Sequence, residues 1–155
     1  MGTPTLGYEE DVLIKKSEIA HVQIVEAISH FLAGNYICAI TLAGASEAIY
    51  AGILKDKGMA SVVEDSTAVI QEIRERTSFY PFEGKAKKTD IYKVWNAARN
   101  DFKHHDKDES SIIAINLFDE AYWIIKRALT NAKKLGIPIS NSQDFENWIT
   151  LNINL

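Results

Sequence analysis

Apolar residues recur along most of the chain at the three- and four-residue spacing of helices that are buried on one side. In the first such stretch, residues 17–32, they are Ile19, Val22, Val25, Ile28, Phe31 and Leu32. Gly34 follows as a residue that can adopt positive φ beyond a helix end, and Asn35 is a natural N-cap for the next helix. The pattern therefore predicts one helix over 17–32 and a second helix from residue 36.

The second helix, over about 36–57, is apolar nearly all round its circumference, which predicts that it is the central and most buried helix. Glu47 stands alone in its middle, where an unpaired carboxylate is costly. Glu47 therefore either accepts hydrogen bonds from a neighbouring helix or faces an edge of the bundle, or else it orients a basic residue of the stretch 95–106. Gly58 is expected to close the helix.

The next stretch opens with Ser61-Val62-Val63-Glu64, the spacing of a capping box, and predicts a third helix to about residue 76. A loop is expected over 77–88, which contains Pro81 and Gly84. The loop also holds three aromatic residues beside its lysines, namely Phe79, Tyr80 and Phe82. Such residues either stack nucleobases or plug the side of a core, and both interpretations stay open.

Three further helices complete the pattern. The fourth is expected to be capped by Thr89 or Asp90, and the fifth to run over about 111–135 and end at Gly136. A short last helix is expected around 145–149. Because no segment alternates convincingly between apolar and polar residues, the sequence predicts an all-α, up-and-down bundle of four main helices plus a short C-terminal helix.

Composition bounds the class of protein. The chain has 155 residues, of which 46% are hydrophobic and 25% charged, as in a globular domain. We expect a single domain over 1–155, with 1–16 as an arm and 137–155 as a C-terminal extension. Cys38 is the only cysteine, which excludes an intramolecular disulfide and favours a reducing, cytoplasmic setting.

The sequence predicts no contact with a membrane and no signal peptide. The richest apolar stretch, 36–54, is interrupted by Thr41, Ser46 and Glu47, and a membrane span needs about 18 apolar residues in succession. The first residues include Glu9 and no positive segment ahead of an apolar core.

Charge is distributed unevenly. The net charge is −4, yet residues 85–107 contain seven basic and three acidic residues, so this segment is +4 and the remainder −8. An acidic body with one basic segment suits a local anion site, such as a phosphate site. The alternative is a solvated helix face followed by a lysine-rich loop.

The basic segment contains the one stretch, residues 95–106, that crowds a guanidinium, an amide, an ammonium and two imidazoles together. Arg99 and Lys103 are four apart and therefore share a helix face. His104 is five after Arg99, which turns it away from the arginine in an unbroken helix. The two side chains can converge only if the helix ends here or if a second chain brings them together.

These residue types fit cleavage of RNA at the 2′-hydroxyl. An imidazole such as His104 can move the protons, and the Arg99 guanidinium can bind phosphoryl oxygens. Asn100 can hold the phosphate or the histidine. Lys103, His105 and Lys93 are candidates for binding the substrate backbone. The chemistry needs no metal and no cofactor, and the chain has no glycine-rich nucleotide-binding motif.

The sequence Arg99-Asn100-Asp101-Phe102-Lys103-His104 resembles the R-N-x-x-x-H form of the RX4–6H signature of HEPN domains (higher eukaryotes and prokaryotes nucleotide-binding). The helical architecture resembles that family over most of the chain. The resemblance implies a metal-independent endoribonuclease, often a toxin or defence component, that acts as a homodimer with both motifs in one interface cleft. It also implies that Arg99 and His104 are catalytic and that Asn100 supports them.

One position departs from the family pattern. Members that pair with a nucleotidyltransferase antitoxin often continue the motif as H-x-Y, whereas Asp106 stands at the tyrosine position here. The resemblance therefore does not imply control by modification of a tyrosine at this position, and an antitoxin or another protein stays a candidate partner. The alternative function is a catalytically inactive HEPN-like helical dimer that binds a nucleotide or a protein partner. A third interpretation is an all-α scaffold whose basic segment is only surface.

Overall fold

A computed structural model describes residues 2–68 and 88–153, apart from the side chains of 88–91. Every regular element within these residues is a helix. The helices are α1 (Lys16–Leu32), α2 (Tyr36–Asp56), α3 (from 62, described to 68), α4 (Lys88–Asp101), α5 (Leu117–Lys134) and α6 (Ser142–Asn152). The predicted all-α bundle is confirmed.

Helix α2 lies at the centre, between α1 and α5, as its apolar composition predicts. Small residues such as Ala39 and Ala43 are fully buried and let the neighbouring helices approach closely. The Ser46 hydroxyl donates to the carbonyl oxygen of Ala20 on α1 at 2.8 Å, which satisfies a polar group inside this contact.

By length and composition, α2 is also apolar enough to cross a membrane, with a mean hydropathy of 1.7. A buried core helix passes the same test. The expectation that the chain contacts no membrane therefore stays a prediction.

An aromatic cluster joins the first helix, α1, to the last helix, α6. The ring of Phe31 on α1 lies 5.1 Å from that of Phe145 and 5.4 Å from that of Trp148, both on α6. Phe145 and Ile149 are buried in the main core. The predicted C-terminal helix therefore exists and covers the core.

The predicted helix ends are confirmed where local chemistry sets them. Gly34, Gly58 and Gly136 all adopt positive φ just beyond a helix. The Asn35 side chain accepts a hydrogen bond from the backbone N–H of Cys38, so it caps α2 as expected.

The capping box of α3 is also confirmed. The Ser61 backbone N–H donates to Glu64 Oε2 at 2.8 Å, and the Glu64 N–H donates to Ser61 Oγ at 3.3 Å. The Val62 N–H donates to Oδ1 of the fully buried Asn131, which anchors the start of α3 to α5. The predicted end of α3 near 76 and the aromatic residues Phe79, Tyr80 and Phe82 lie outside the described residues.

Two predicted helix starts are wrong. Helix α4 already includes Lys88, so Thr89 and Asp90 lie inside the helix and not at its N-cap, where residues that favour helix interiors can precede them. Helix α5 begins at Leu117 rather than near 111, because the Asn116 side chain accepts from the N–H of Asp119 and caps the helix there. The segment 112–116 before it is not helical.

Candidate functional site

The Arg-x₄-His motif lies where α4 ends. Helix α4 stops at Asp101, and the backbone N–H groups of Lys103 and His104 both donate to the carbonyl oxygen of Asn100, at 3.0 and 3.1 Å. The chain leaves the helix through this turn. Arg99 therefore belongs to the last turn of α4, and His104 follows the helix end. The sequence required such an ending for the two side chains to converge within one chain.

The Arg99 side chain crosses the surface of α2 at Gly44. A Cβ atom at Gly44 would lie 2.7 Å from Arg99 Cγ and 2.9 Å from Arg99 Cδ, so only glycine leaves room for this path. Beyond it, Arg99 Nη1 donates to Glu47 Oε2 at 3.0 Å. Of the roles left open for Glu47, the structure thus shows contact with a basic residue of the motif. The Arg99 side chain stays 18% exposed.

A second arginine, Arg127 on α5, completes what we call the charged cluster: Glu47, Arg99 and Arg127. Arg127 is only 5% exposed. Its Nη2 donates to the backbone carbonyl oxygen of Trp95 at 2.9 Å, and its Cζ lies 5.2 Å from the centroid of the Trp95 ring. The Arg127 side chain therefore fastens α5 to α4 by a hydrogen bond and a cation–π contact.

Burial and mutual charge set the electrostatics of the charged cluster. Burial raises the pKa of the Glu47 carboxyl, and the positive charges of Arg127 and, to a lesser degree, Arg99 oppose that rise. Burial lowers the pKa of Arg127, against the attraction of Glu47 and then Glu120. The Glu47 carboxylate is therefore hydrogen-bonded to Arg99 and attracted by Arg127, while Glu120 is a second negative group that acts on Arg127.

His104 lies in different surroundings. It is exposed and lines a surface pocket of about 420 Å³ together with Asp101, His105, Glu109 and residues 110–113. Arg99 is not among the residues that line this pocket. The structure therefore brings Arg99 together with Glu47 and Arg127, and it does not bring His104 into that cluster.

The other predicted site residues, Asn100, Lys103 and Lys93, are exposed. They are open to a ligand that approaches the end of α4. In the part of the chain that the structure describes, no group of three His, Cys, Asp or Glu side chains is placed to hold a metal ion. The charged donors gathered at the charged cluster are guanidinium groups, which bind anions such as phosphate.

Sequence reasoning missed Arg127 and Gly44. Arg127 falls in phase with the buried positions of α5, such as Ile124 and Ala128, so a charge in that stripe was a signal. Gly44 lies inside a helix, where glycine costs about 0.5–1 kcal/mol relative to alanine and so indicates a close approach. Neither signal identifies the residues that Arg127 or Gly44 contacts.

Comparisons of the chain with protein-family models, with curated proteins and with solved structures give no match. The function is therefore argued from the residues and geometry of the site.

Proposed function

We propose that the chain is a metal-independent endoribonuclease of HEPN type, a cytoplasmic homodimer in which Arg99 and His104 are catalytic. The observation that supports this function most is the placement of Arg99. Glu47 fixes one of its guanidinium nitrogens at 3.0 Å, while 18% of the side chain remains exposed at the end of α4. A guanidinium has five N–H donors, so an arginine held in this way can still bind phosphoryl oxygens.

The proposed reaction is a transesterification. An imidazole, His104, removes the proton of the ribose 2′-hydroxyl, and the resulting oxygen attacks the adjacent phosphorus. The bond from phosphorus to the 5′-oxygen breaks, and that oxygen takes up a proton from the protonated His104 or from water, which leaves a 2′,3′-cyclic phosphate and a free 5′-hydroxyl. Arg99 stabilises the charge that develops on the phosphoryl oxygens. Asn100 and Lys103 position this phosphate.

The neighbouring phosphates are assigned to exposed groups near the same helix end. His105 and Lys93 can contact the RNA backbone on either side of the cut. Because every phosphate contact releases counterions, substrate binding should weaken as the salt concentration rises.

Arg99 does not line the His104 pocket within one chain. A homodimer would remove this difficulty for catalysis, since the motifs of two chains can meet across an interface. Large apolar side chains near the motif support such an interface. Ile112 and Ile113, just after the motif, are both exposed. Exposed apolar surface of this kind is typical of protein interaction sites. By the family resemblance, we extend the proposal to a toxin or defence role, with an antitoxin or other protein as partner.

The test uses purified protein and a labelled single-stranded RNA in EDTA. The wild type is compared with Arg99→Ala and His104→Ala, and His21→Ala on α1 serves as a matched histidine control. Light scattering gives the mass of each variant. The proposal expects cleavage to 2′,3′-cyclic phosphate ends by the wild type and the control only, and cleavage at the wild-type rate by either motif variant would refute it.

The ion pair between Arg99 and Glu47 also favours the alternative function, a catalytically inactive helical dimer that binds a nucleotide or a protein partner. An inactive protein has no need of a free guanidinium, and Arg99 is already paired with Glu47 in a largely buried ion pair. A dimer that binds nucleotides yet leaves every RNA intact would support it.

A further inference from the structure

A pocket that the proposed reaction does not use lies between α4 and α5. It has a volume of about 310 Å³ and is lined by Val94 and Trp95 from α4 and by Glu120, Trp123 and Arg127 from α5. Its size is at the lower end of the range for small-molecule sites, roughly 300–1,000 Å³, and its composition, aromatic with a few polar groups, is typical of them.

The spacing along α5 sets the order of the lining groups. Glu120, Trp123 and Arg127 are separated by three and four residues, so they lie on one face of the helix. Glu120 and Arg127 are two turns apart, about 10.5 Å along the axis, with the indole of Trp123 between them. A flat ring stacked on Trp123 therefore has a carboxylate on one side and a guanidinium on the other.

One polar group beside this pocket has no partner within the described residues. Arg127 donates to the Trp95 carbonyl through Nη2, whereas its buried Nε–H has no acceptor among those residues. A buried donor without a partner destabilises the fold. Trp123 is 53% exposed, although its ring is supported at one side by Tyr122, 4.9 Å between centroids. A ligand that stacks on Trp123 would cover this exposed ring.

Among the nucleobases, guanine matches this arrangement best. Its Watson–Crick edge presents two neighbouring N–H donors, which one carboxylate such as Glu120 can accept together. Its O6 and N7 atoms are acceptors that pair with an arginine. Adenine and cytosine offer one amino group each on that edge, and uracil offers one N–H donor between two carbonyl oxygens that would repel the carboxylate. Aromatic side chains such as Trp123 stack unpaired bases in single-stranded RNA.

The pocket also lies next to the proposed reaction site. Trp95 precedes Arg99 by four residues, about one helical turn, on the same side of α4. Arg127 belongs both to the pocket and to the charged cluster that holds Arg99. A base in the pocket therefore places its own phosphate near the last turn of α4.

We infer that this pocket binds a guanine base of the RNA beside the phosphate that is cut. The inference rests on the proposed function, which it deepens by naming the base that the site selects. Glu120 and Trp123 are its specificity-determining residues, and neither is needed for the chemical step.

Binding can be tested apart from cleavage, because mononucleotides contain no phosphodiester bond to cut. The probes are GMP, AMP, CMP and UMP, titrated in EDTA into the wild-type protein and followed by calorimetry and tryptophan fluorescence. Glu120→Gln is the main variant, and Asp119→Asn, a neighbouring exposed acid, is its matched control. Trp123→Leu tests stacking, with circular dichroism to confirm that each variant is folded.

The inference expects GMP to bind at least tenfold more tightly than the other three nucleotides. Glu120→Gln should remove most of this preference, Trp123→Leu should weaken all binding, and Asp119→Asn should change neither. Equal affinity for the four nucleotides, absence of GMP binding, or a preference unchanged in Glu120→Gln would overturn it. If Trp123→Leu does not fold, Glu120→Gln still decides the question.

The outcomes separate this inference from the proposed function. RNA cleavage without a guanine preference at the cut site, together with no GMP binding, refutes the pocket assignment and leaves the nuclease standing. Selective GMP binding by a protein that cuts no RNA supports the pocket and refutes the nuclease.

Discussion

Replacing Gly44 by alanine tests the path of Arg99 over α2, on which the whole site depends. The added Cβ would lie 2.7 Å from Arg99 Cγ and 3.1 Å from Ile124 Cδ1. Real Cβ atoms essentially never approach a heavy atom more closely than 3.0 Å, so Arg99 has to move. Once it moves, its hydrogen bond to Glu47 cannot keep its present geometry.

The expected change in stability combines three terms. Alanine in place of glycine inside a helix stabilises by about 0.5–1 kcal/mol. Overpacking costs about 1–3 kcal/mol, and loss of a hydrogen bond between charged groups costs about 1.5–3 kcal/mol. Because Arg99 is partly exposed and can regain water, we take the lower half of these ranges. Gly44→Ala should therefore lower the free energy of unfolding by about 2–4 kcal/mol.

Gly52 provides the matched control on the same helix. It is exposed, and a Cβ there would meet nothing within 4 Å, so Gly52→Ala should stabilise by about 0.5–1 kcal/mol from helix propensity alone. Urea denaturation of both variants beside the wild type measures the difference. If Gly44→Ala is as stable as Gly52→Ala, Arg99 does not run over Gly44 and the charged cluster is wrongly described.

Three further predictions concern buried polar groups. Because the pKa of Glu47 is raised in the folded state above its ordinary 4.5, the stability that it contributes is present below pH 4.5 and is lost as the pH rises through the folded value. The free energy of unfolding of the wild type should therefore fall relative to that of Glu47→Gln as the pH rises above 4.5. Urea titrations of both proteins across a pH series measure this, and free energies that stay parallel with pH would contradict it. Tyr50→Phe should stabilise by about 1 kcal/mol in thermal melts, because the buried Tyr50 hydroxyl has no partner among the described residues, and a loss of stability would reveal one. Asn131→Ala should cost about 1–2 kcal/mol by removing the acceptor for the Val62 N–H, and the amide exchange of Val62 should quicken.

The parts of the fold that the sequence predicted correctly are those decided within a few residues. Gly34 and Gly58 end helices because they reach positive φ, and Asn35 begins one because its side chain reaches a free N–H. The start of α5 failed for a physical reason. Ile112 continues the apolar pattern in the sequence but is 81% exposed, and Asn116, four residues later, is the actual cap.

The residues of the candidate site could likewise be predicted only in part. Glu47 could be singled out, since a lone carboxylate in an apolar helix requires a cation, and Arg99 was the natural candidate. Arg127 and Gly44 could not be placed, because their roles depend on α4 crossing α2 beside α5, a tertiary contact that no local pattern encodes. The separation of Arg99 from the His104 pocket likewise follows from where the chain turns after Asp101.

The manner in which α4 is attached has a consequence for its protection from hydrogen exchange. Of the side chains described on α4, Ala98 is the one that is buried, whereas α1, α2 and α5 share the main core. Two contacts of the charged cluster fasten α4: Arg99 to Glu47, and Arg127 to the Trp95 carbonyl. Local opening is least costly where few apolar contacts are lost. The amides of α4 should therefore exchange before those of α1 and α2, and added salt, which weakens ionic contacts, should speed exchange in α4 more than in α1.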